Sequence, residues 1–366
     1  LQLLVQAGGI AEYTPSVNAD GVSIARVERG DSPNYLFVYL DVGGASPGAF
    51  DIVFAKGDER IAARYELRQR IDGHVGTYDA SDVIYLITPD RFANGDPSND
   101  DVDGYADTAD RDDDYGRHGG DIEGVRQHLD YIADMGFTQI WLNPVLENAM
   151  DRSSYHGYAI TDFYEIDPRF GSNESYRDFV ASAREHGLGV IMDMVANHAG
   201  SNHWWMDDLP TKTWLNDPDD RAITSHARTT HQDPYASEYD KARHADGWFV
   251  LTMPDLNQRD PLLADYLVQN SIWWVEYLGL SGIRQDTYPY PDKHFMAEWS
   301  RRIMQEYPGF NMVGEDWSQS PNVVSYWQRG KQNADGYVSH LPGVFDFPLQ
   351  ITLQQVLGSA EPPWGS

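Results

Sequence analysis

At 366 residues the chain exceeds one ordinary domain and suits one large barrel of roughly 250 residues with a smaller module beside it. With 27 Lys and Arg against 57 Asp and Glu, its formal charge of −30 repels nucleic-acid phosphates and anionic membrane surfaces and favours a neutral partner, while 41% hydrophobic and 13% aromatic residues argue against disorder. The absence of cysteine excludes disulfides and thiolate metal sites, and no apolar run reaches the roughly 20 residues that span a bilayer.

Residues 1–76 read as short strands punctuated by Gly, Pro, Asp and Asn. The opening Leu-Gln-Leu-Leu-Val alternates, and residues 22–27, 35–42, 50–55 and 62–67 follow as further strands, a spacing that predicts a small immunoglobulin-like β-sandwich. From Val83 onward apolar strands alternate with amphipathic helices, which predicts parallel β/α units. Strands are expected at 83–88, 138–143, 188–192, 282–286 and 310–315, with a short sixth near Tyr337. One helix face is formed by Ile122, Val125, Leu129 and Ile132, and a second helix carries Phe179, Val180 and Ala183 and stops at Gly187. A third begins with Asp260 as N-cap and Pro261 behind it and ends before Gly279; Asp292 caps a fourth. Trp273 and Trp274, in mid-helix, are expected to fill core. Residues 199–259 are too long for one helix and its loops, so they are expected to form an inserted lobe over the barrel mouth, with at least one of Trp204 and Trp205 packing it. A closed barrel needs eight β/α units. About six are legible in residues 77–366, which makes the expected fold an incomplete (β/α)8 TIM barrel in a chain cut at both ends.

Active sites of β/α barrels lie at the C-terminal ends of the strands. Three strands end in polar clusters there: Asp193-Met194-Val195-Ala196-Asn197-His198, Arg284-Gln285-Asp286, and Gly314-Glu315-Asp316-Trp317. Any one of these acids could be the N-cap of the next helix. Together they fit a nucleophile and acid pair, since neighbouring strands about 4.8 Å apart bring two carboxyls to the roughly 5 to 5.5 Å that retaining glycoside cleavage requires. Arg284, two residues before Asp286, shares its side of the strand and would hold that carboxylate ionised. Glu315 must keep a proton, which burial or a nearby negative charge would favour.

These blocks resemble the signature blocks of the α-amylase family of glycoside hydrolases, in the family's order. Met253-Pro254-Asp255-Leu256-Asn257 resembles the extra block of its oligo-1,6-glucosidase and neopullulanase branches, and a sandwich ahead of the barrel is similar to cyclomaltodextrinases and neopullulanases. The resemblance implies Asp286 as nucleophile, Glu315 as general acid/base, Arg284 as partner of the nucleophile, and His198, His156 and Tyr158 as contacts to the sugar at the cleavage point. Asn197 and Asp193 are expected to shape their loop. Implied substrates are α-glucan oligosaccharides and cyclodextrins, hydrolysed at α-1,4 bonds, with transfer to another sugar or cleavage of pullulan or starch as alternatives. Many family members carry Lys-His where this chain has Pro289-Tyr290, which weakens a plain endo-amylase assignment. The family's third carboxylate, preceded by Asn-His, is not among these residues, and Asp346 has the wrong neighbours and comes too early for it; the missing barrel units favour a protein that continues past Ser366, the alternative being a non-catalytic glucan-binding homologue.

The run from Asp90 to Asp100 is dense in hard oxygen donors at turn spacing, which suits calcium, the plain alternative being a solvated acidic loop. It resembles the calcium loop of cyclomaltodextrinases, which implies Asn94, Asp96, Asn99, Asp100, the Gly119 carbonyl and Asp121 as ligands. A polymeric substrate and structural calcium suit a secreted or periplasmic setting, with the cytoplasm as alternative.

Overall fold

The computed structural model describes residues 1–358. Six strands make the N-terminal module: β1 (Gln2–Gln6), β2 (Thr14–Val17), β3 (Ser23–Arg29), β4 (Tyr35–Asp41), β5 (Gly48–Lys56) and β6 (Glu59–Leu67). They form two antiparallel sheets, β1-β4-β3 and β2-β5-β6. Leu36, Val38 and Leu40 of β4 meet Phe50, Ile52 and Phe54 of β5 in the sandwich core. The opposite face of β4 sends Tyr35 and Phe37 into the core of the barrel domain, where the Phe37 ring lies 5.9 Å from Trp214. Burial on both faces explains why residues 35–42 read as an almost unbroken apolar run. Not predicted was β2, a four-residue strand containing Pro15, a residue that ordinarily argues against a strand.

The barrel domain follows as β7 (Ile84–Ile87), α1 (Ile122–Arg126), α2 (Leu129–Asp134), β8 (Gln139–Leu142), β9 (Leu146–Glu147), β10 (Asp162–Ile166), α3 (Asn173–Glu185), β11 (Gly189–Met194), α4 (Glu238–Ala245), α5 (Pro261–Leu278), β12 (Gly282–Gln285), α6 (Lys293–Glu306), β13 (Asn311–Gly314), α7 (Pro321–Val324), β14 (Gly343–Val344) and α8 (Phe347–Gly358). One parallel sheet runs β7-β8-β11-β12-β13-β14, with β9 and β10 forming a separate antiparallel pair. Among the described residues β7 and β14 are the two ends of this sheet. Helix limits follow the predicted chemistry: Asp260 accepts from the Leu262 and Leu263 amides, Gly279 closes α5 at φ 71°, and Asp292 accepts from the His294 and Phe295 amides.

Two expectations need correcting. The single helix through Ile122 and Ile132 is two short ones broken at Gln127 and His128, although Ile122, Val125, Leu129 and Ile132 all remain buried. The sixth strand is Gly343–Val344; Tyr337 lies in a loop and stacks on Tyr326 with centroids 4.9 Å apart.

The lobe leaves and rejoins the barrel at one place. His198 and Asp255 form a β-bridge, the Leu256 amide donates to the Asn197 carbonyl at 2.9 Å, and Gln258 Nε2 donates to the Ala196 carbonyl at 2.9 Å. Trp205 and Trp214 are fully buried, and the His203 ring is packed against both Trp204 and Trp205, so these rings fill the lobe base. Trp274 is core as predicted, and Trp273 stacks on Tyr277 at 4.7 Å. Among the described residues no helix is long and apolar enough to cross a membrane.

Candidate active site

Parallel pairing sets Asp193 of β11 level with Arg284 of β12, and puts Asp286 and Glu315 just past the ends of β12 and β13. The Asp286 amide donates to the Met194 carbonyl at 2.8 Å and the Glu315 amide to the Gln285 carbonyl at 3.1 Å, so the ladder extends to both acids. Their placement is backbone-determined.

Arg284, only 2% exposed, is the hub. Its Nη1 donates to Asp193 Oδ1 at 2.6 Å and Asp286 Oδ1 at 2.7 Å, and its Nη2 pairs with Glu315 Oε1. The other Asp193 oxygen accepts from Trp141 Nε1 at 3.0 Å and the Tyr158 hydroxyl at 3.1 Å. One guanidinium therefore serves three buried carboxyls and cannot neutralise them all. Burial, aided by the Asp286 charge and opposed by Arg284, holds the Glu315 carboxyl above the usual range; burial raises Asp193 likewise. Thr287, at φ 42°, sits in the left-handed region that a β-branched residue avoids. In that conformation its amide donates to Glu315 Oε2 at 3.1 Å and its hydroxyl to Asp286 Oδ2 at 3.1 Å. Both acids thus share Arg284 and Thr287.

Two histidines line the opposite wall. His156 Nδ1 accepts the Tyr158 amide at 2.9 Å; the His198 ring stacks on Phe249 at 5.4 Å, and its Nε2 is buried without a partner. Burial pushes each imidazole down to about 4, so both are neutral at pH 7 and suited to sugar hydroxyls. His156, Tyr158, His198, Arg284, Asp286 and Glu315 border one open cleft of about 260 Å3. Every residue that the sequence nominated for catalysis or sugar contact is in it. Phe249, Met253, Thr287 and Trp317 also line it and were missed. Trp317, two positions after Glu315, could have been found by its spacing; Phe249, deep in the lobe, has no sequence signal. Asp193, expected only to shape its loop, instead bonds to Arg284.

Residues 86–341 match the description "Alpha amylase, catalytic domain", and residues 1–71 match "Cyclomaltodextrinase, N-terminal". The chain belongs to the α-amylase family. Similar family members include a cyclomaltodextrinase of Thermoanaerobacter pseudethanolicus, 31% identical over 68% of this chain and 41% of that protein, and neopullulanase 2 of Thermoactinomyces vulgaris, 32% identical over 68% and 40%. Among solved structures, an Anoxybacillus alpha-amylase is 30% identical with TM-score 0.63, covering 76% of this chain and 54% of that one. An alpha-amylase from Geobacillus thermoleovorans, complexed with acarbose, is 32% identical with TM-score 0.58, covering 75% and 54%. The chain thus spans about half or less of the length of these relatives.

Two further expectations for an α-amylase-family chain concern residues outside the cleft. Asp346 accepts the Leu349 amide at 3.0 Å, as an N-cap of α8 does. In the acidic loop, Asn94 Nδ2 donates to Asp100 Oδ1 at 2.6 Å beside Gly119, where a Cβ would lie 2.5 Å from the same oxygen. Asn94 Oδ1 and Asn99 Oδ1 are buried with no partner, the condition of oxygens built to face a cation. Asp121 accepts the Gly95, Asp96 and Gly124 amides and caps α1, while Asp96 accepts the Ser98 amide. Among the described residues no three acidic or histidine side chains converge on a metal position, so a cation here would rest largely on amide and carbonyl oxygens.

Proposed function

We propose that the chain carries the catalytic pair of a retaining α-glucan hydrolase acting on α-1,4 bonds of cyclodextrins and maltodextrins. The observation that supports this most is the bridging of Asp286 and Glu315 by one guanidinium and one threonine. One guanidinium and one threonine reaching both carboxyls hold them near each other, which favours the shorter spacing of a nucleophile and acid over the wider gap that admits an attacking water. Asp286 attacks the anomeric carbon as Glu315 gives its proton to the glycosidic oxygen, and the leaving sugar departs. Glu315 then takes a proton from water, the water oxygen attacks the same carbon, and the bond to Asp286 breaks. Arg284 Nη1 donates to Asp286, and the raised Glu315 holds the proton needed in the first step. Tyr158 offers an aromatic face to the sugar, while the neutral His156 and His198 supply hydrogen bonds to its hydroxyls.

Asn94, Asn99, Asp100 and the Gly119 carbonyl fit calcium, with Asp96 and Asp121 bracing the loop; the ion would supply structural order there and no chemistry at the cleft. A polymeric substrate and calcium fit a secreted or periplasmic setting. In the complete protein, Asp286→Asn is expected to lower cyclodextrin hydrolysis by about 10³-fold or more while cyclodextrin binding, measured calorimetrically, persists. Undiminished turnover would reject the nucleophile.

A further inference from the structure

His156 and Tyr158 border the cleft from a short turn that begins at Ser154, and that turn is gripped from outside the cleft. The grip comes from the long connection between β7 and α1. Asp107 Oδ2 accepts the Ser154 amide at 2.8 Å, Arg117 Nη1 donates to the Ser154 hydroxyl at 3.2 Å, and the Arg91 guanidinium lies 4.1 Å from the centre of the Tyr155 ring. Ser154 is buried, and its carbonyl accepts the Gly157 amide at 3.2 Å, so its position sets that of the whole turn. Tyr158 has anchors of its own, since its hydroxyl donates to Asp193 and accepts from Asn143 Nδ2 at 3.3 Å. His156 has none: its ring accepts the Tyr158 amide and packs against Tyr155 and Tyr158, all within the turn.

Arg117 is the unusual member of this grip. It is fully buried, its guanidinium lies 4.5 Å from the centre of the Phe170 ring, and its Nε and Nη2 make no hydrogen bond. The Asp90 Oδ1 atom is 4.0 Å from Nε, beyond hydrogen-bond reach. A buried guanidinium that satisfies so few of its five donors costs stability, and an apolar side chain of similar length would fill the space against Phe170 at lower cost. Packing therefore does not account for an arginine here. What arginine adds is one directed N–H on Ser154, delivered from backbone that the barrel holds. The His118 amide donates to the two oxygens of Asp90 at 2.9 and 3.1 Å, and the Asp110 amide donates to the Arg117 carbonyl at 2.7 Å. A line of contacts thus runs from Asp90, shortly after β7, through Arg117 and Ser154 to His156.

We infer that Arg117 is a positioning residue for sugar recognition: by holding Ser154 it fixes the turn from which His156 meets the sugar at the cleavage point. This rests on the assignment of His156 as a sugar contact proposed above. Arg117 touches no sugar, so its effect on turnover passes through the turn. A group that acts in this way contributes little once the contact it positions has been removed, whereas an independent loss multiplies with any other. The two cases are separated by measuring the same substitution with and without the His156 ring.

The test uses the complete protein and maltohexaose. Arg117→Met is expected to lower kcat/KM about tenfold, and Arg117→Lys, which still offers an N–H to Ser154, only about threefold. In protein that already carries His156→Ala, the same two substitutions should change kcat/KM by about twofold or less. Equal factors in the two backgrounds, or no loss in the parent, would overturn the assignment of Arg117. If Arg117→Met gives no folded protein, Arg117→Lys and Ser154→Ala carry the same comparison. If His156→Ala alone leaves kcat/KM unchanged, the sugar contact itself is wrong and the inference falls with it; the two failures are distinct.

Discussion

Arg284 is the residue on which the cleft depends, because its two terminal nitrogens engage Asp193, Asp286 and Glu315 together. Lysine carries the same charge as a single point and cannot fork. Arg284→Lys is therefore expected to lower kcat/KM by about 10²-fold or more and to destabilise the fold by about 3 kcal/mol, the cost of leaving a buried charge without its partner. Kinetics and thermal melting check this, and near-normal values for both would show that the guanidinium is not the hub. The pairing of Arg284 with Asp286 was readable because residues two apart share one side of a strand. Its reach to Asp193 and Glu315 was not readable, because it requires the register between strands separated by some 90 residues in one case and 30 in the other.

Local chemistry sets the elements that deliver these groups. The turn carrying His156 and Tyr158 starts at Ser153 with φ 56° and ends at Gly157 with φ 82°, where a Cβ would collide with the Pro144 carbonyl. Gly157→Ala should cost about 1–3 kcal/mol and lower activity, by displacing both sugar-contacting side chains; a melting temperature and kcat/KM unchanged from the parent would refute this role for the turn. Strands and caps with strong local signals, such as Asp260, Pro261 and Gly279 around α5, were legible to within a residue or two. β14 was misplaced because two residues leave no periodicity, and the break between α1 and α2 keeps the apolar face continuous across it. Those failures share a cause: spacing records which way a side chain faces, not how far the backbone stays regular.

Across the whole molecule, acid sensitivity follows from buried neutral imidazoles. Burial lowers His156, His198 and His244 to about 4 and His203 and His231 to about 3. In the unfolded chain each titrates near 6.5, so between roughly pH 6.5 and 4 the unfolded state binds more protons and folding stability falls as the pH drops. Raised carboxyls such as Glu315 act in the opposite sense, so the effect is isolated by comparison with a variant. His231, whose Nε2 is buried without a partner, contributes about 2 kcal/mol of this loss from pH 7 to pH 5. His231→Phe should therefore lose less melting temperature than the parent over that interval, and parallel curves would refute the argument. The overall division into sandwich, barrel and lobe was legible from changes of period and from one overlong connection. The contact between sandwich and barrel was not, since Gln2 to Gln269 and Tyr39 to Asp265 join residues more than two hundred positions apart.

The bridge between His198 and Asp255 closes the lobe on itself, so length and composition inside it can drift at little cost to the sheet below. Such an insertion behaves as a cassette. Transplanted into a related barrel, it would carry its own His226, His244 and Arg228 but leave behind Tyr290, Pro289 and Asp316, which these side chains contact and which belong to the host. A recipient able to use it must already own those three residues, so lobe and host strand-ends are expected to be inherited as a matched set.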